Sequence, residues 1–155
     1  MYQPNRLTNI AYLKDRQRHG DKIVFTNGCF DIIHAGHINF FTQAADYGKY
    51  LVVGLNSDKS IKRIKGNKRP INCEEQREIV LQAIVYISDV FIFNEDTPLK
   101  LIEELEPDVL IKGADWKEED IIGADIVKGN GGYVKTIPFR YDISTTKIIE
   151  KIRED

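Results

Sequence analysis

The sequence predicts an α/β fold, a Rossmann-like doubly wound sheet of five parallel strands with helices on both faces. Two observations carry the prediction. Five short apolar or β-branched runs recur along the chain, at residues 22–26, 50–56, 89–93, 108–112 and 133–137. Runs such as Leu51-Val-Val-Gly-Leu55 are apolar without alternation, which marks strands buried on both faces by crossover helices. Between them lie longer stretches with apolar residues three and four apart, bounded by capping residues or glycines. Strands that alternate with helices build a parallel sheet, and such sheets bind ligands outside the strands' carboxyl ends, at the point where strand order reverses.

Taken in order, residues 7–19 carry apolar side chains at 7, 10, 11 and 13 among Arg and Lys and stop at Gly20, as an amphipathic helix packed outside the core would. The first strand runs into a turn at Asn27-Gly28, and a helix extends from Gly36 to about Tyr47. The second strand, 50–56, ends at the capping pair Ser57-Asp58. This βαβ unit requires a right-handed crossover. Residues 59–73 are the most basic part of the chain, with Lys59, Lys62, Arg63, Lys65, Lys68 and Arg69 before Pro70, and are expected to form a loop, a cationic flap. Residues 74–87 are expected to be one helix, with Arg77 in its first turns and apolar residues at 79, 80, 81, 83, 84 and 87. After the strand 89–93, Thr97-Pro98 opens a helix to about Leu105 and Pro107 precedes the strand 108–112. A helix over 118–129 ends at Gly129-Asn-Gly-Gly132, the fifth strand is 133–137, and Ser144 starts the last helix.

At 155 residues, with 42% apolar and 30% charged, the chain is long enough for one domain with a real core. We take 1–155 as a single domain with residues 1–20 as its outer helix. A net charge of −2 with both signs interspersed argues against nucleic acid and against a membrane surface as partners. No run approaches a membrane span, the start lacks the apolar core of a signal peptide, and two unpaired-looking cysteines suit a reducing compartment. The expected location is therefore cytoplasmic.

The chemistry collects in the loop after the first strand, Gly28-Cys-Phe-Asp31, Ile-Ile, His34-Ala-Gly-His37. Both imidazoles stand at the mouth of a helix whose first amides lack partners, and such a mouth attracts anions. One histidine there is ordinarily a cap or a surface residue. Two around a glycine, directly after a strand, point to phosphate. Zinc would need three or four ligands, and Cys29 and Cys73 lie in no ligand-spaced set, so no direct protein ligation of a metal is expected. Other strand ends add Asn56 and Asp58 with the basic flap, the loop Lys112-Gly-Ala-Asp-Trp116, and Arg140 before Ser144-Thr-Thr146. The Ser-Thr-Thr run makes a second helix mouth facing the first, and two mouths can hold a triphosphate between them. There is neither a P-loop nor a GxGxxG fingerprint. No nucleophile motif is present, and none is required if the acceptor is itself a phosphate, already ionised and able to attack a nucleotide's α-phosphorus in line.

The signature GxFDxxHxGH resembles that of the HxGH nucleotidyltransferases, the cytidylyltransferase-like group. The resemblance covers residues 22–153. The further blocks Val53-Gly-Leu-Asn-Ser-Asp58, Lys62-Arg-Ile-Lys-Gly66, Arg69-Pro-Ile-Asn72, Glu75-Gln-Arg77, Glu95-Asp-Thr-Pro98, Pro107-Asp-Val-Leu-Ile-Lys-Gly113, Gly131-Gly132 and Ser144-Thr-Thr146 are similar to those of the adenylyltransferases of ADP-heptose synthesis. That likeness implies transfer of AMP from ATP to D-glycero-D-manno-heptose 1-phosphate, giving ADP-heptose and pyrophosphate for lipopolysaccharide or related surface glycans. It also implies Mg²⁺ carried by the nucleotide phosphates, a homodimer, and a separate heptose kinase that supplies the acceptor.

Position by position, the resemblance implies that His34, His37 and Lys65 are catalytic. It assigns Thr26, Asn27, Gly28, Cys29, Phe30, Gly36, Arg77, Lys112, Gly113, Asp115, Ser144, Thr145 and Thr146 to nucleotide binding, and Asp31, Asn56, Asp58 and Arg69 to the acceptor. Two departures stand out. Asp142 replaces a usual Gly two positions before the Ser, and Phe139 stands where glycerol-phosphate cytidylyltransferases carry an Arg. The alternatives on the same scaffold are cytidylyl transfer to glycerol 3-phosphate and adenylyl transfer to an acceptor such as FMN. From another class, the chain could be a nucleotide-binding module without turnover.

Overall fold

The computed structural model describes residues 9–154. Its sheet has five strands, all parallel, in the order β3-β2-β1-β4-β5. The strands are β1 (Ile23–Gly28), β2 (Tyr50–Asn56), β3 (Asp89–Phe93), β4 (Val109–Gly113) and β5 (Tyr133–Ile137). The chain winds outward from β1 through β2 to β3, then returns to lay β4 on the other side of β1. Strand order therefore reverses between β1 and β4, where Val24 pairs with Val109 and Phe25 with Leu110. The carboxyl ends of those two strands open the crevice in which such sheets bind ligands.

The helices are α1 (Ile10–Arg18), α2 (Ala35–Ala45), α3 (Asp58–Lys65), α4 (Glu74–Gln82), α5 (Leu99–Leu105), α6 (Ala124–Gly129) and α7 (Thr145–Arg153). Successive residues of a strand point to opposite faces, and here each face meets its own core. Val24, Leu51, Val53, Val109 and Ile111 pack with Phe40, Phe41 and Ala44 of α2 and Leu81 of α4. Ile23, Phe25, Val52 and Leu110 pack with Leu13 of α1, Leu101, Ile102 and Leu105 of α5, and Val127 of α6. The near-continuous apolar strands follow from this two-sided burial. The helix expected over 7–19 is seen as α1, with Leu7 outside the described residues and Leu13 fully buried.

Three expected boundaries change, each for a physical reason. Residues 58–65 are a helix, not a loop. Ser57 accepts a hydrogen bond from the Ser60 amide as its N-cap, and Ile61 and Ser60 are buried while the lysines stand outside. The cations Lys62, Arg63 and Lys65 fall in its last turn, where they complement the helix dipole. The flap thus shrinks to the segment after Gly66, which caps α3 at φ 88. The helix expected over 74–87 ends at Gln82. Of its apolar run only Leu81 is buried from α4, while Ile79, Val80 and Val85 face outward; the chain turns before Ile87 enters the core. Residues 118–129 are not one helix either. Gly123 adopts φ 86, and a Cβ there would lie 2.6 Å from Ile102 Cδ1, so a 3-10 turn at Glu118–Asp120 is separated from α6.

Candidate active site

The loop between β1 and α2 is shaped by Phe30, whose φ of 43 is left-handed and costly for an aromatic residue. Its ring folds back over Gly28, where a Cβ would come within 3.0 Å of Phe30 Cζ. The reversed backbone delivers His34 to the N-cap of α2 in extended conformation. The His34 and His37 rings stack, with centroids 3.8 Å apart and planes inclined by 24°. Gly36 permits this, since a Cβ there would meet the His34 ring at 3.0 Å and Ile143 at 3.3 Å.

The tautomer of His37 follows from its neighbour. The His34 backbone N–H donates to His37 Nδ1 at 3.3 Å, and a neutral imidazole with one accepting nitrogen carries its proton on the other. Nε2–H is therefore the donor of a ring that lines the cleft. Burial, reinforced by the adjacent His34, pushes the His37 pKa down to about 4, and burial also lowers that of His34. Burial and proximity thus both disfavour charge on the stack. His34 Nδ1 is buried without a hydrogen-bond partner, an uncommon state for a buried polar atom.

A second helix mouth stands opposite. Ser144 caps α7, accepting from the Lys147 amide at 3.2 Å, and Thr145 Oγ1 donates to the Ile32 carbonyl at 3.2 Å. That bond ties the start of α7 to the β1–α2 loop. Between the two mouths lies a cleft of about 560 Å³. It brings together Gly28, Cys29, Phe30, Asp31, His34, His37, Lys65, Arg69, Asp115, Ser144, Thr145 and Thr146, all expected from sequence. Trp116, Phe139 and Asp142 border it too, as do Tyr141, Ile143 and Lys147, which sequence reasoning does not single out. Their signal is positional: they precede or open the second helix mouth. Asp142 is paired with Lys147, so its added carboxylate is met by a cation within the same turn.

A smaller recess of about 160 Å³ adjoins the cleft and holds the other expected nucleotide residues Thr26, Asn27, Lys112 and Gly113, walled by Phe40, Trp116 and Phe139. Lys112 donates to the Asn27 carbonyl at 3.2 Å and lies 5.4 Å from the Trp116 ring centre. Burial lowers its pKa to about 8, with Asp115 and Cys29 pulling the other way. Asn27 Oδ1 is buried and unpartnered.

Other residues expected to bind ligand are engaged within the protein itself. Arg77, expected at the nucleotide, is 1% exposed and lines neither space. Its guanidinium donates to the carbonyls of Asn72, Cys29 and Asn56 and to Asp58 Oδ1, at 2.7 to 3.0 Å. The planar fork suits such divergent acceptors, and the residue locks α4 to the ends of β1 and β2. Asp58 and Asn56, expected at the acceptor, are occupied in the same assembly, Asn56 also donating to Ser60 Oγ. Asp31, 4% exposed, borders the cleft but is saturated by the Ile71 and Asn72 amides and Arg69 Nε. It anchors the end of the flap to the β1–α2 loop. Their sequence pattern could not separate these roles, because a charged residue at a strand end looks the same whether it faces ligand or backbone.

Among the described residues no three His, Cys, Asp or Glu side chains converge as a metal site, and no helix is long and apolar enough to cross a membrane.

Comparison with known proteins bears on the family and the fold. The family described as cytidylyltransferase-like matches residues 25–151. The chain is 50% identical over 143 residues to the bifunctional protein HldE of Hahella chejuensis, covering 92% of this chain and 30% of that protein. It is 55% identical over 133 residues to the bifunctional protein HldE of Campylobacter jejuni serotype O:6, covering 86% and 28%. The chain thus spans less than a third of the length of these relatives. Among solved structures, the lipopolysaccharide core biosynthesis protein of Thermoplasma volcanium superposes with a TM-score of 0.65 at 28% identity, covering 79% of this chain and 100% of that one.

Proposed function

Because the chain belongs to the cytidylyltransferase-like family of nucleotidyltransferases, we propose that it transfers AMP from ATP to D-glycero-D-manno-heptose 1-phosphate, releasing pyrophosphate and ADP-heptose for a surface glycan. The observation that carries the reading is the stacked His34–His37 pair at one helix mouth, facing the Ser144 mouth of α7 across a single cleft. The half-identity to HldE proteins and the likeness to a lipopolysaccharide core biosynthesis protein support the acceptor.

In this reading the triphosphate lies between the two mouths. An ionised oxygen of the acceptor phosphate attacks the α-phosphorus; the new P–O bond forms as the bond to the bridging β-oxygen breaks, and that electron pair leaves with pyrophosphate. No proton must move, so no general base is required. His37 Nε2–H, Lys65 and the amides of both helix mouths stabilise the charge that gathers on the phosphoryl oxygens. A divalent cation serves nucleotidyltransferases of this family, and we assign it as Mg²⁺. It would be held by phosphate oxygens, because Asp31 is saturated by three donors and Asp142 is paired; it supplies charge neutralisation. A sugar kinase would supply the acceptor, and the protein would act as a cytoplasmic homodimer.

The test is pyrophosphate release from ATP or CTP with heptose 1-phosphate or glycerol 3-phosphate. Turnover confined to ATP with heptose 1-phosphate is expected. Turnover with CTP and glycerol 3-phosphate alone would replace this reading, and pyrophosphate release in no combination would favour a binding module.

A further inference from the structure

Beside the main cleft, a separate pocket of about 200 Å³ lies between the flap and the outer turns of α7. It shares Arg69 and Thr146 with the cleft and adds Lys68, Ile149, Glu150 and Arg153. Whole ligand sites commonly occupy about 300–1,000 Å³, so this space suits part of a molecule whose remainder sits in the cleft.

Its lining is chemically mixed. Lys68 and Arg153 are exposed and join no ion pair among the described residues, while Arg69 is held at 2.8 Å by Asp31. Glu150 is likewise unpaired among the described residues. A pocket built only to hold phosphate would gain nothing from a carboxylate, which repels anions. A carboxylate beside cationic donors and a threonine hydroxyl suits neutral hydroxyl groups, which both donate and accept. Ile149 offers an apolar surface for a carbon skeleton.

We propose that this pocket binds the hydroxyl-bearing body of the acceptor, a sugar ring or polyol chain whose phosphate reaches into the cleft past Arg69 and Thr146. Glu150 accepts from its hydroxyls; Lys68 and Arg153 donate to them. Because Lys68 belongs to the flap and Glu150 to α7, an acceptor seated there bridges the two walls. The assignment rests on the reading above that the acceptor is a sugar phosphate.

The test is calorimetric titration of heptose 1-phosphate into the full chain holding a non-hydrolysable ATP analogue and Mg²⁺, for wild type, Glu150→Gln and the pair Lys68→Ala with Arg153→Ala. All three positions are exposed, so folding is expected to persist. Each variant should weaken the sugar phosphate at least about tenfold, as loss of a hydrogen bond to a charged group does, with the ATP analogue within about twofold for Glu150→Gln, which lies outside the flap. Unchanged sugar-phosphate affinity overturns the pocket assignment, as does an equal loss for the ATP analogue. Wild-type protein that binds the ATP analogue but no heptose phosphate overturns the acceptor reading itself, and the pocket's assignment with it.

Discussion

The backbone N–H of His34 donates to Nδ1 of His37 at 3.3 Å, so the cap of α2 dictates which nitrogen of the second histidine carries a proton. With its pKa pushed down to about 4 by burial and by His34, His37 is neutral above about pH 5 and donates only through Nε2. Nitrogen-15 spectra should show the Nε2–H tautomer throughout pH 5.5–8. His37→Ala should fold with little loss of stability and lose at least about 10² in kcat, the usual result of removing one donor from developing charge. Equal turnover in variant and wild type would remove His37 from the chemistry.

Arg77 gives the opposite outcome. It is buried and serves three carbonyls and Asp58, so Arg77→Met strands several acceptors at once. Each buried unpaired group costs about 1–3 kcal/mol, and a loss of at least about 3 kcal/mol is expected in denaturant unfolding. Arg77→Lys should recover little, since an ammonium cannot span those divergent acceptors. A fall in ATP affinity with unchanged stability would show instead that Arg77 turns to the nucleotide.

Arg77 also marks where sequence stops being legible. Apolar runs and caps located every strand, and the order of motifs at strand ends located the cleft, because a parallel sheet leaves its carboxyl-end loops little choice of place. Side-chain direction is another matter. Arg77, Asp58 and Asn56 sit at positions as suggestive as His37, yet the groups that claim them, backbone carbonyls for Arg77, its guanidinium for Asp58 and the Ser60 hydroxyl for Asn56, come from residues up to 48 positions away. The lysines of α3 hid a helix because its buried side is narrow, with Ser60 and Ile61 alone fully enclosed. Gly123 ended a helix through contact with Ile102, a neighbour no local pattern reveals.

The shortened flap yields a sharper expectation. Helix α3 is capped at Ser57 and pinned by Ser60 Oγ donating to the Glu95 carbonyl at 2.8 Å and Arg63 pairing with Asp96 at 2.7 Å, whereas Ile71 and Asn72 are held by Asp31. Between these anchors residues 66–70 form a short turn, with the Gly66 amide bonded to the Lys62 carbonyl, the Arg69 amide to the Gly66 carbonyl and the Arg69 side chain to Asp31. Hydrogen exchange should slow there when ATP binds, while α3 is protected with or without it. Exchange at 66–70 that ignores ATP would make the segment a plain surface turn.

Lys112 should give nucleotide binding a pH dependence. Its pKa is about 8 in the free protein, lowered chiefly by burial, and an anionic ligand nearby would raise it. Above pH 8 the free protein holds this lysine neutral while the complex holds it charged, so binding takes up a proton and weakens as pH rises, by at most about tenfold per unit. Below about pH 7 no change arises from this group. Lys112→Arg keeps its charge across the range and should flatten the profile. A wild-type Kd for ATP that is constant from pH 7 to 9 would place Lys112 outside nucleotide recognition.

Base choice should be decided in the recess behind the cleft, where two aromatic rings form the walls. Phe139 closes over Gly113 so tightly that a Cβ on the glycine would stand 2.3 Å from Phe139 Cζ, and Trp116 forms another wall with Lys112 near its ring. Both aromatic side chains remain substantially exposed, Trp116 at 46% and Phe139 at 56%, which leaves apolar surface for a flat ring to cover. A purine offers more stacking area than a pyrimidine, and the unpartnered Asn27 Oδ1 is an acceptor suited to an amino group. Adenine and cytosine both carry such a group, so the amide would select amino bases and the aromatic walls would select between them. ATP should therefore exceed CTP by at least about tenfold in kcat/KM, a difference of about 1.4 kcal/mol that one or two contacts supply. Phe139→Ala should narrow the ratio by weakening ATP more than CTP, with kcat for saturating ATP little changed. Equal use of both nucleotides by the wild type would show that the rings at 116 and 139 do not read the base.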